Sequence, residues 1–255
     1  MRVCITGASS GIGKEISIQY AKRGYKLMLS GRDKKSLIDT QITCLSLGSK
    51  QVEICQTDVR LQEQCVALIE KTVSLLGGID ILVLCAGVSA YQLFNDITDI
   101  NIFSEVLQTN FFGYLYCTYA AMKYLKESKG QILVISSISG EIGLPFRSAY
   151  CTSKFAVTGF FESLRSEMDQ EVVAITIVCP PSVRTNLRSN SLIKLDGEKD
   201  NEYRINVEEC VRDILAAADR RARKIFFPLK VYFAVYCRPF FPDIVDKRLK
   251  KAAKL

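Results

Sequence analysis

Short β-branched runs alternate with longer stretches of helical apolar spacing from the first residue to about residue 230. A chain patterned this way folds by following each strand with a crossover helix, so that successive strands lie parallel in one sheet. The spacing predicts strands near 1–6, 25–30, 51–57, 79–85, 131–136, 172–179 and 224–227. It predicts helices near 12–23, 33–47, 60–76, 99–127, 150–169 and 207–219. Gly24 and Gly48 follow helical patterns as C-terminal caps, Gly77-Gly78 ends another, and Asp33 can cap the helix after it. The expected fold is α/β: a single Rossmann-like, doubly wound domain with a seven-stranded parallel sheet flanked by helices and right-handed crossovers. Residues 1–224 are assigned to that domain and 225–255 to a C-terminal aromatic and basic extension.

Composition removes several chemistries. The 255 residues include no histidine, which excludes histidine triads, histidine proton shuttles and histidine metal ligands. The cysteines stand at 4, 44, 55, 65, 85, 117, 151, 179, 210 and 237, no two closer than ten residues. Without a CxxC pair they suit buried free thiols in a reducing compartment, and no metal site is expected. The first apolar run is short and leads into glycines, so no secretory leader is expected, and no uncharged apolar run of about 18 residues suggests a spanning helix.

The first strand runs into Thr6-Gly7-Ala8-Ser9-Ser10-Gly11-Ile12-Gly13 and then a helix. A glycine-rich strand-to-helix turn is where backbone N–H groups hold a pyrophosphate. Gly7 allows the tight turn, Gly11 the close approach of phosphates and Gly13 the packing of helix on strand, while Ser9, Ser10 and Ile12 complete the cofactor loop. At the end of the second strand, where an acidic residue would hold a ribose 2′-hydroxyl, stands Ser30-Gly31-Arg32. Either Arg32 grips a 2′-phosphate, or Arg32 is a solvated charge and Asp33 holds the ribose; the charge favours NADP(H) over NAD(H). Asp58-Val59, after the third strand, is positioned for an adenine edge or for capping the next helix.

Two tyrosines have a lysine four residues on, Tyr119/Lys123 and Tyr150/Lys154, a spacing that puts both side chains on one helix face. Tyr119 lies inside a long apolar helical stretch and suits packing or an interface. Tyr150 opens a helix just after a strand whose end carries Ser136-Ser137. A phenol is too weak an acid at neutral pH unless its anion is stabilised, so Lys154, with the positive charge of an oxidised nicotinamide, is expected to lower the Tyr150 pKa. Ser137 can hydrogen-bond the substrate oxygen during proton transfer. Asn110, polar within an apolar helical run, either orders a water between Lys154 and solvent or is an amide satisfied among helices.

These residues resemble the short-chain dehydrogenase/reductase family over about residues 1–220. Its glycine loop is matched by Thr6, Gly7, Gly11, Ile12 and Gly13, its Asp-Val pair by Asp58-Val59 and its Ala-Gly by Ala86-Gly87. Its tetrad is matched by Asn110, Ser137, Tyr150 and Lys154. The resemblance implies an NADP(H)-dependent oxidoreductase that interconverts a carbonyl and an alcohol, and a homodimer or homotetramer. It also implies cofactor contacts from Ala86, Gly87, Tyr150, Lys154, Val183 and Thr185. Two departures stand out. Leu84-Cys85 replaces an Asn-Asn pair that braces central strands, with an expected cost in stability. Pro180-Pro181 replaces Pro-Gly and deletes a backbone N–H near the expected nicotinamide carboxamide.

The net charge of +7 is uneven: residues 220–255 carry 11 Lys/Arg against 2 Asp, which leaves residues 1–219 at −2. The same tail holds Phe226, Phe227, Tyr232, Phe233, Tyr236, Phe240 and Phe241, broken by Pro228, Pro239 and Pro242. Aromatics with a basic rim suit peripheral contact with an anionic bilayer; the other reading has them close the core or a subunit interface. Nucleic acid is a poorer partner, because the basic residues flank an apolar centre instead of interleaving along a groove. The arrangement is similar to the family's membrane-associated lipid reductases, such as acyl-dihydroxyacetone-phosphate reductases, to which Val183-Arg184-Thr185-Asn186-Leu187 and Asp196-Gly197 add. That similarity implies a lipophilic substrate (lipid, steroid or retinoid-like) and a place on the cytoplasmic side of an intracellular membrane such as the endoplasmic reticulum, otherwise the cytoplasm. The competing class is a catalytically weak cofactor-binding interaction protein tethered at a membrane.

Overall fold

The computed structural model describes residues 1–169, 171–194, 204–228 and 230–253, without the side chains of Lys230, Phe233, Ala252 and Ala253. The Asp196-Gly197 pair and the Phe233 ring lie outside that description. Seven strands, β1 (Arg2–Thr6), β2 (Lys26–Gly31), β3 (Gln51–Gln56), β4 (Ile81–Leu84), β5 (Gln131–Ile135), β6 (Ala174–Cys179) and β7 (Lys224–Phe226), form one sheet in the order β3-β2-β1-β4-β5-β6-β7. Every neighbouring pair is parallel, as the alternating pattern predicts. β7 takes Ile225 and Phe226 into the sheet across the division drawn at residue 224.

Helices cover both faces, because β4, β5 and β6 are apolar and buried at nearly every position and need shielding on each side. On one face α1 (Gly11–Lys22), α2 (Lys34–Ser46) and α7 (Val207–Asp219) bring Ile16, Tyr20, Leu37, Ile214 and Leu215 against Val3 and Ile5. On the other, α3 (Gln62–Leu76), α5 (Gly113–Ser128) and α6 (Ser148–Ser166) bring Leu68, Leu125 and Phe161 against Cys4 and Leu82. Alternate residues of β1 thus feed opposite cores, and each fully buried leucine or isoleucine contributes about 1.5–3 kcal/mol. All ten cysteines are free thiols.

The helix predicted over 99–127 is interrupted. α4 (Ile102–Leu107) passes into a π-helical turn, Gln108–Phe112, before α5 begins. The turn carries Asn110 inward, to partners described below. In the tail, the prolines delimit helices instead of preventing them: α8 spans Lys230–Cys237, Pro239 falls between, and Pro242 opens α9 (Pro242–Ala253), the one end of a helix where its missing N–H is harmless.

Beside the Leu84-Cys85 departure, Thr6 ties β1 to the end of β4. Its hydroxyl accepts from the Cys85 N–H (3.0 Å) and the Ala86 N–H (3.3 Å) and donates to the Val83 carbonyl (3.3 Å). Leu84 is buried in the core as apolar filling. The strand order reverses between β1 and β4, and there the loops diverge to leave a crevice at the carboxyl edge of the sheet.

Candidate active site

One wall of the crevice is the turn from β1 to α1. Gly7 has φ +70°, and a Cβ there would lie 2.9 Å from the Ala86 Cα; a Cβ on Gly13 would lie 2.3 Å from the Gly7 carbonyl oxygen. Only hydrogen fits at either position. Ser10, the N-cap of α1, makes no side-chain capping bond, and the first turn of the helix has no acidic residue. The N–H of Gly13 is turned to the Cys85 thiol, but no cap or acidic side chain competes at the start of α1, so an anion can approach the turn there, and the residues fit a dinucleotide pyrophosphate.

The crevice has a volume of about 460 Å³ and is lined by Gly7, Ser9, Ser10, Gly11, Ile12, Arg32, Asp58, Val59, Ala86, Gly87, Ser137, Tyr150, Lys154, Val183 and Thr185. Asn110 and Gly13 sit behind its walls. At the β2–β3 end, the Asp33 carboxylate accepts from the Ser36 N–H (3.2 Å) and the Ser36 hydroxyl (2.6 Å) as the cap of α2. Arg32 lies beside it on the lining. Asp58 is paired with Arg60, whose Nη2 is 2.5 Å from Oδ2, and this hydrogen bond holds its carboxyl below the usual range. Thr185, opposite the turn, would meet a Cβ on Gly11 at 3.2 Å.

At the other end α6 brings the predicted pair together. Tyr150 is 7% and Lys154 3% exposed. The Lys154 ammonium lies 5.8 Å from the Tyr150 ring centre and 5.2 Å from that of Tyr114, and donates to the Ile135 carbonyl at 2.9 Å. Burial pushes the Lys154 pKa down to about 8. The Tyr150 pKa moves upward, against the expectation from sequence, because desolvation of the phenolate outweighs the hydrogen bond to Ser137 and the charge of Arg147 that favour it. Ser137 caps the short 3₁₀ turn Ile138–Gly140, accepting from the Ser139 N–H at 3.1 Å. The Asn110 amide is satisfied by protein: Oδ1 accepts from the Val88 N–H (2.8 Å), and Nδ2 donates to the Val88 carbonyl (3.0 Å) and Ser153 Oγ (2.9 Å). It pins the segment after β4 to α6, and with it the turn that carries Tyr150. Tyr119, bearer of the second Tyr/Lys spacing, is exposed on α5 and absent from the crevice lining.

Sequence reasoning missed Tyr91, Tyr114, Arg147, Arg188 and Arg204. Tyr114 closes the floor beneath Lys154, its hydroxyl donating to the Ile135 carbonyl at 3.1 Å. The others line the crevice from separate loops, and no spacing in the chain connects them. Among the described residues, no group of three or more Cys, Asp or Glu side chains could hold a metal ion.

A family profile described as short chain dehydrogenase matches residues 1–195. The 11-beta-hydroxysteroid dehydrogenase A of Sesamum indicum is 33% identical over 255 residues, covering 96% of this chain and 73% of its own. The hydroxysteroid 11-beta-dehydrogenase 1-like protein B of Xenopus laevis is 33% identical over 257 residues, covering 98% of this chain and 86% of its own. Among solved structures, a short chain dehydrogenase/reductase from Burkholderia phymatum in complex with NAD superimposes with a TM-score of 0.85 at 21% identity, over 95% of this chain and 94% of that one.

The lowered pKa of Lys154 has a consequence for stability. Between about 8 and the unfolded value of 10.5 the unfolded chain binds this proton more tightly, so the contribution of Lys154 to stability rises with pH across that window. Tyr150 acts oppositely, but only above about 10. In urea unfolding, the stability of the wild type relative to Lys154→Met should climb between about pH 8 and 10; a flat difference would show that the ammonium is not desolvated.

Proposed function

The chain belongs to the short-chain dehydrogenase family, and on that footing we propose that it is an NADP(H)-dependent oxidoreductase interconverting a carbonyl and an alcohol on a lipophilic substrate. The observation that carries the reading is the convergence of Tyr150, Lys154 and Ser137 on the crevice that also contains the glycine turn. A nicotinamide dinucleotide, when bound, supplies or accepts the hydride. Its pyrophosphate would be held by the turn from Gly7 to Gly13, and its remaining contacts would come from Asp58, Val59, Ala86, Gly87, Val183 and Thr185. The protein's own groups manage the proton.

Burial keeps Tyr150 protonated at neutral pH, which suits it to donate to a carbonyl oxygen during reduction. Ser137, the cap of the 3₁₀ turn, would hold that oxygen. Once Tyr150 has given up its proton, the phenolate is stabilised by the ammonium one helical turn away, and desolvation strengthens that attraction. Asn110 and Tyr114 position the pair, one by anchoring α6 and the other by flooring the lysine.

Capping of α2 occupies the Asp33 carboxylate. That engagement supports Arg32 as the group that selects NADP(H) through the 2′-phosphate. Relatives named as hydroxysteroid dehydrogenases support a steroid-like member of the lipophilic class. Exposed Tyr119 on α5 and Phe155 on α6 suit a second copy of the chain in a homodimer or homotetramer.

The tail supports both readings of its aromatics, in different halves. Phe226 and Phe227 are buried, and Tyr232 accepts from the Phe226 N–H at 3.2 Å, so the first half closes the core. Phe240 and Phe241 are 78% and 57% exposed and are followed by Lys247, Arg248, Lys250 and Lys251 on α9. That half suits peripheral contact with an anionic membrane, at the cytoplasmic side of an intracellular bilayer. Among the described residues no helix is long and apolar enough to cross a membrane.

Three outcomes test this function. Tyr150→Phe should reduce carbonyl turnover by about 10²–10⁴-fold while NADPH affinity stays nearly constant; retained turnover removes the assignment. Arg32→Ala should lower the preference for NADPH over NADH, read as a ratio of kcat/KM, by about 10–100-fold. The pair Phe240→Ser with Phe241→Ser should weaken sedimentation with phosphatidylserine vesicles without lowering turnover, and unchanged sedimentation would dismiss membrane contact.

A further inference from the structure

The 3₁₀ turn that presents Ser137 is held from several sides. Within it the Gly140 N–H donates to the Ser137 carbonyl (2.9 Å), and the Glu141 and Ile142 N–H groups donate to the Ile138 carbonyl (3.0 and 3.1 Å). The Ile138 N–H donates to the Pro180 carbonyl (3.1 Å), beyond β6. A Cβ on Gly140 would lie 2.7 Å from the Lys154 carbonyl oxygen and 2.8 Å from Thr158 Oγ1, so the turn rests directly on α6. Its position decides how the Ser137 hydroxyl meets the Tyr150 hydroxyl, to which it is hydrogen-bonded.

Glu141, the residue that ends the turn, is absent from the crevice lining and is engaged by the strands behind it. Lys224, the first residue of β7, donates from Nζ to Oε2 at 3.1 Å and lies 2.9 Å from Oε1. The Cys179 thiol, at the end of β6, donates to Oε1 at 3.6 Å. The two charged side chains are only 12% and 19% exposed, so their attraction is weakly screened. A withdrawn pair of this kind adds little net stability over apolar filling, but its directional bonds fix where two segments stand. Lys224 is itself seated: its Nζ lies 5.7 Å from the Phe226 ring centre, and that ring packs edge-on against Tyr232 of α8. A second carboxylate, Glu162 on α6, lies 2.5 Å from the same ammonium but is 48% exposed and is not part of the turn.

We propose that Glu141, clasped by Lys224, is a positioning residue for the reaction: the ion pair ties the turn bearing Ser137 to the edge strand β7 and so sets the approach of Ser137 to Tyr150. The inference rests on the reductase function proposed above and adds to it a pair of residues outside the crevice. Strand β7, with the first helix of the extension behind it, then belongs to the catalytic unit.

Glu141→Ala and Glu162→Ala each take one carboxylate from the same ammonium, and only the first removes it from the turn. Hydrogen–deuterium exchange of the peptide bearing the amides of residues 138–142 should be about tenfold faster in Glu141→Ala than in the wild type and unchanged in Glu162→Ala. With NADPH and cortisone as the carbonyl probe, kcat should fall by about tenfold in Glu141→Ala while the NADPH dissociation constant holds. Glu141→Gln, which can still accept from Lys224, should restore part of the rate. Lys224→Met should match the loss, and combining it with Glu141→Ala should add nothing. Equal effects of Glu141→Ala and Glu162→Ala, or additive losses in the double variant, overturn the proposal. Should Glu141→Ala fail to fold, Lys224→Met against Glu162→Ala makes the same comparison. The exchange measurement needs no turnover. A protein that reduces no carbonyl yet shows the contrast in exchange loses the reductase reading alone, and one that reduces carbonyls without the contrast loses only the positioning role.

Discussion

The contact on which the rest of the molecule depends is between two stretches of backbone. The turn after β1 passes so near the segment leaving β4 that a methyl group on Gly7 would strike Ala86, and α1 starts so near the same turn that one on Gly13 would strike the Gly7 carbonyl. Thr6 fastens the junction by spanning β1 and the end of β4 with one hydroxyl. Because the strand order reverses at this seam, the close approach opens the loops above it into a crevice and also sets the N-terminus of α1 at its edge. Architecture and anion recognition follow from one steric requirement.

Much of this was legible in the chain. The strand and helix order, the glycine turn and the Tyr150/Lys154 face all rest on local periodicity or local punctuation, which is the kind of information a linear sequence carries. The π turn was not legible, since the inward draw on Asn110 comes from Val88 and Ser153, distant in the chain and near only after folding. The grouping of Tyr91 with Arg147 and Arg188 was hidden for the same reason: three loops supply it, and each arginine alone reads as a solvated charge. The tail was half legible. Its composition announced aromatics and cations, but whether a given ring faces the core or solvent depends on how α8 meets β7.

The electrostatics of the site depend on dryness. Lys154 is held with one carbonyl partner between two aromatic rings, so burial works against its charge, and the same dryness works against ionisation of Tyr150. Each group alone is penalised for carrying charge, yet an ammonium and a phenolate together relieve one another in a medium where attraction is weakly screened. A sequence shows that the two share a helix face; it does not show how far water is excluded, and that exclusion set the direction of the tyrosine's shift.

The interrupted rod from Ile102 to Ser128 has to satisfy two neighbours, since α4 packs on α6 while α5 packs on α3. A regular α-helix advances by about 100° per residue and would lock the azimuths of its two halves together. The wider winding at Gln108–Phe112 is a phase slip that uncouples them, letting each half turn its own apolar stripe to its own partner. Loss of a single residue from this stretch would re-phase the rod, so its length is guarded by geometry even where the identity of individual side chains is not.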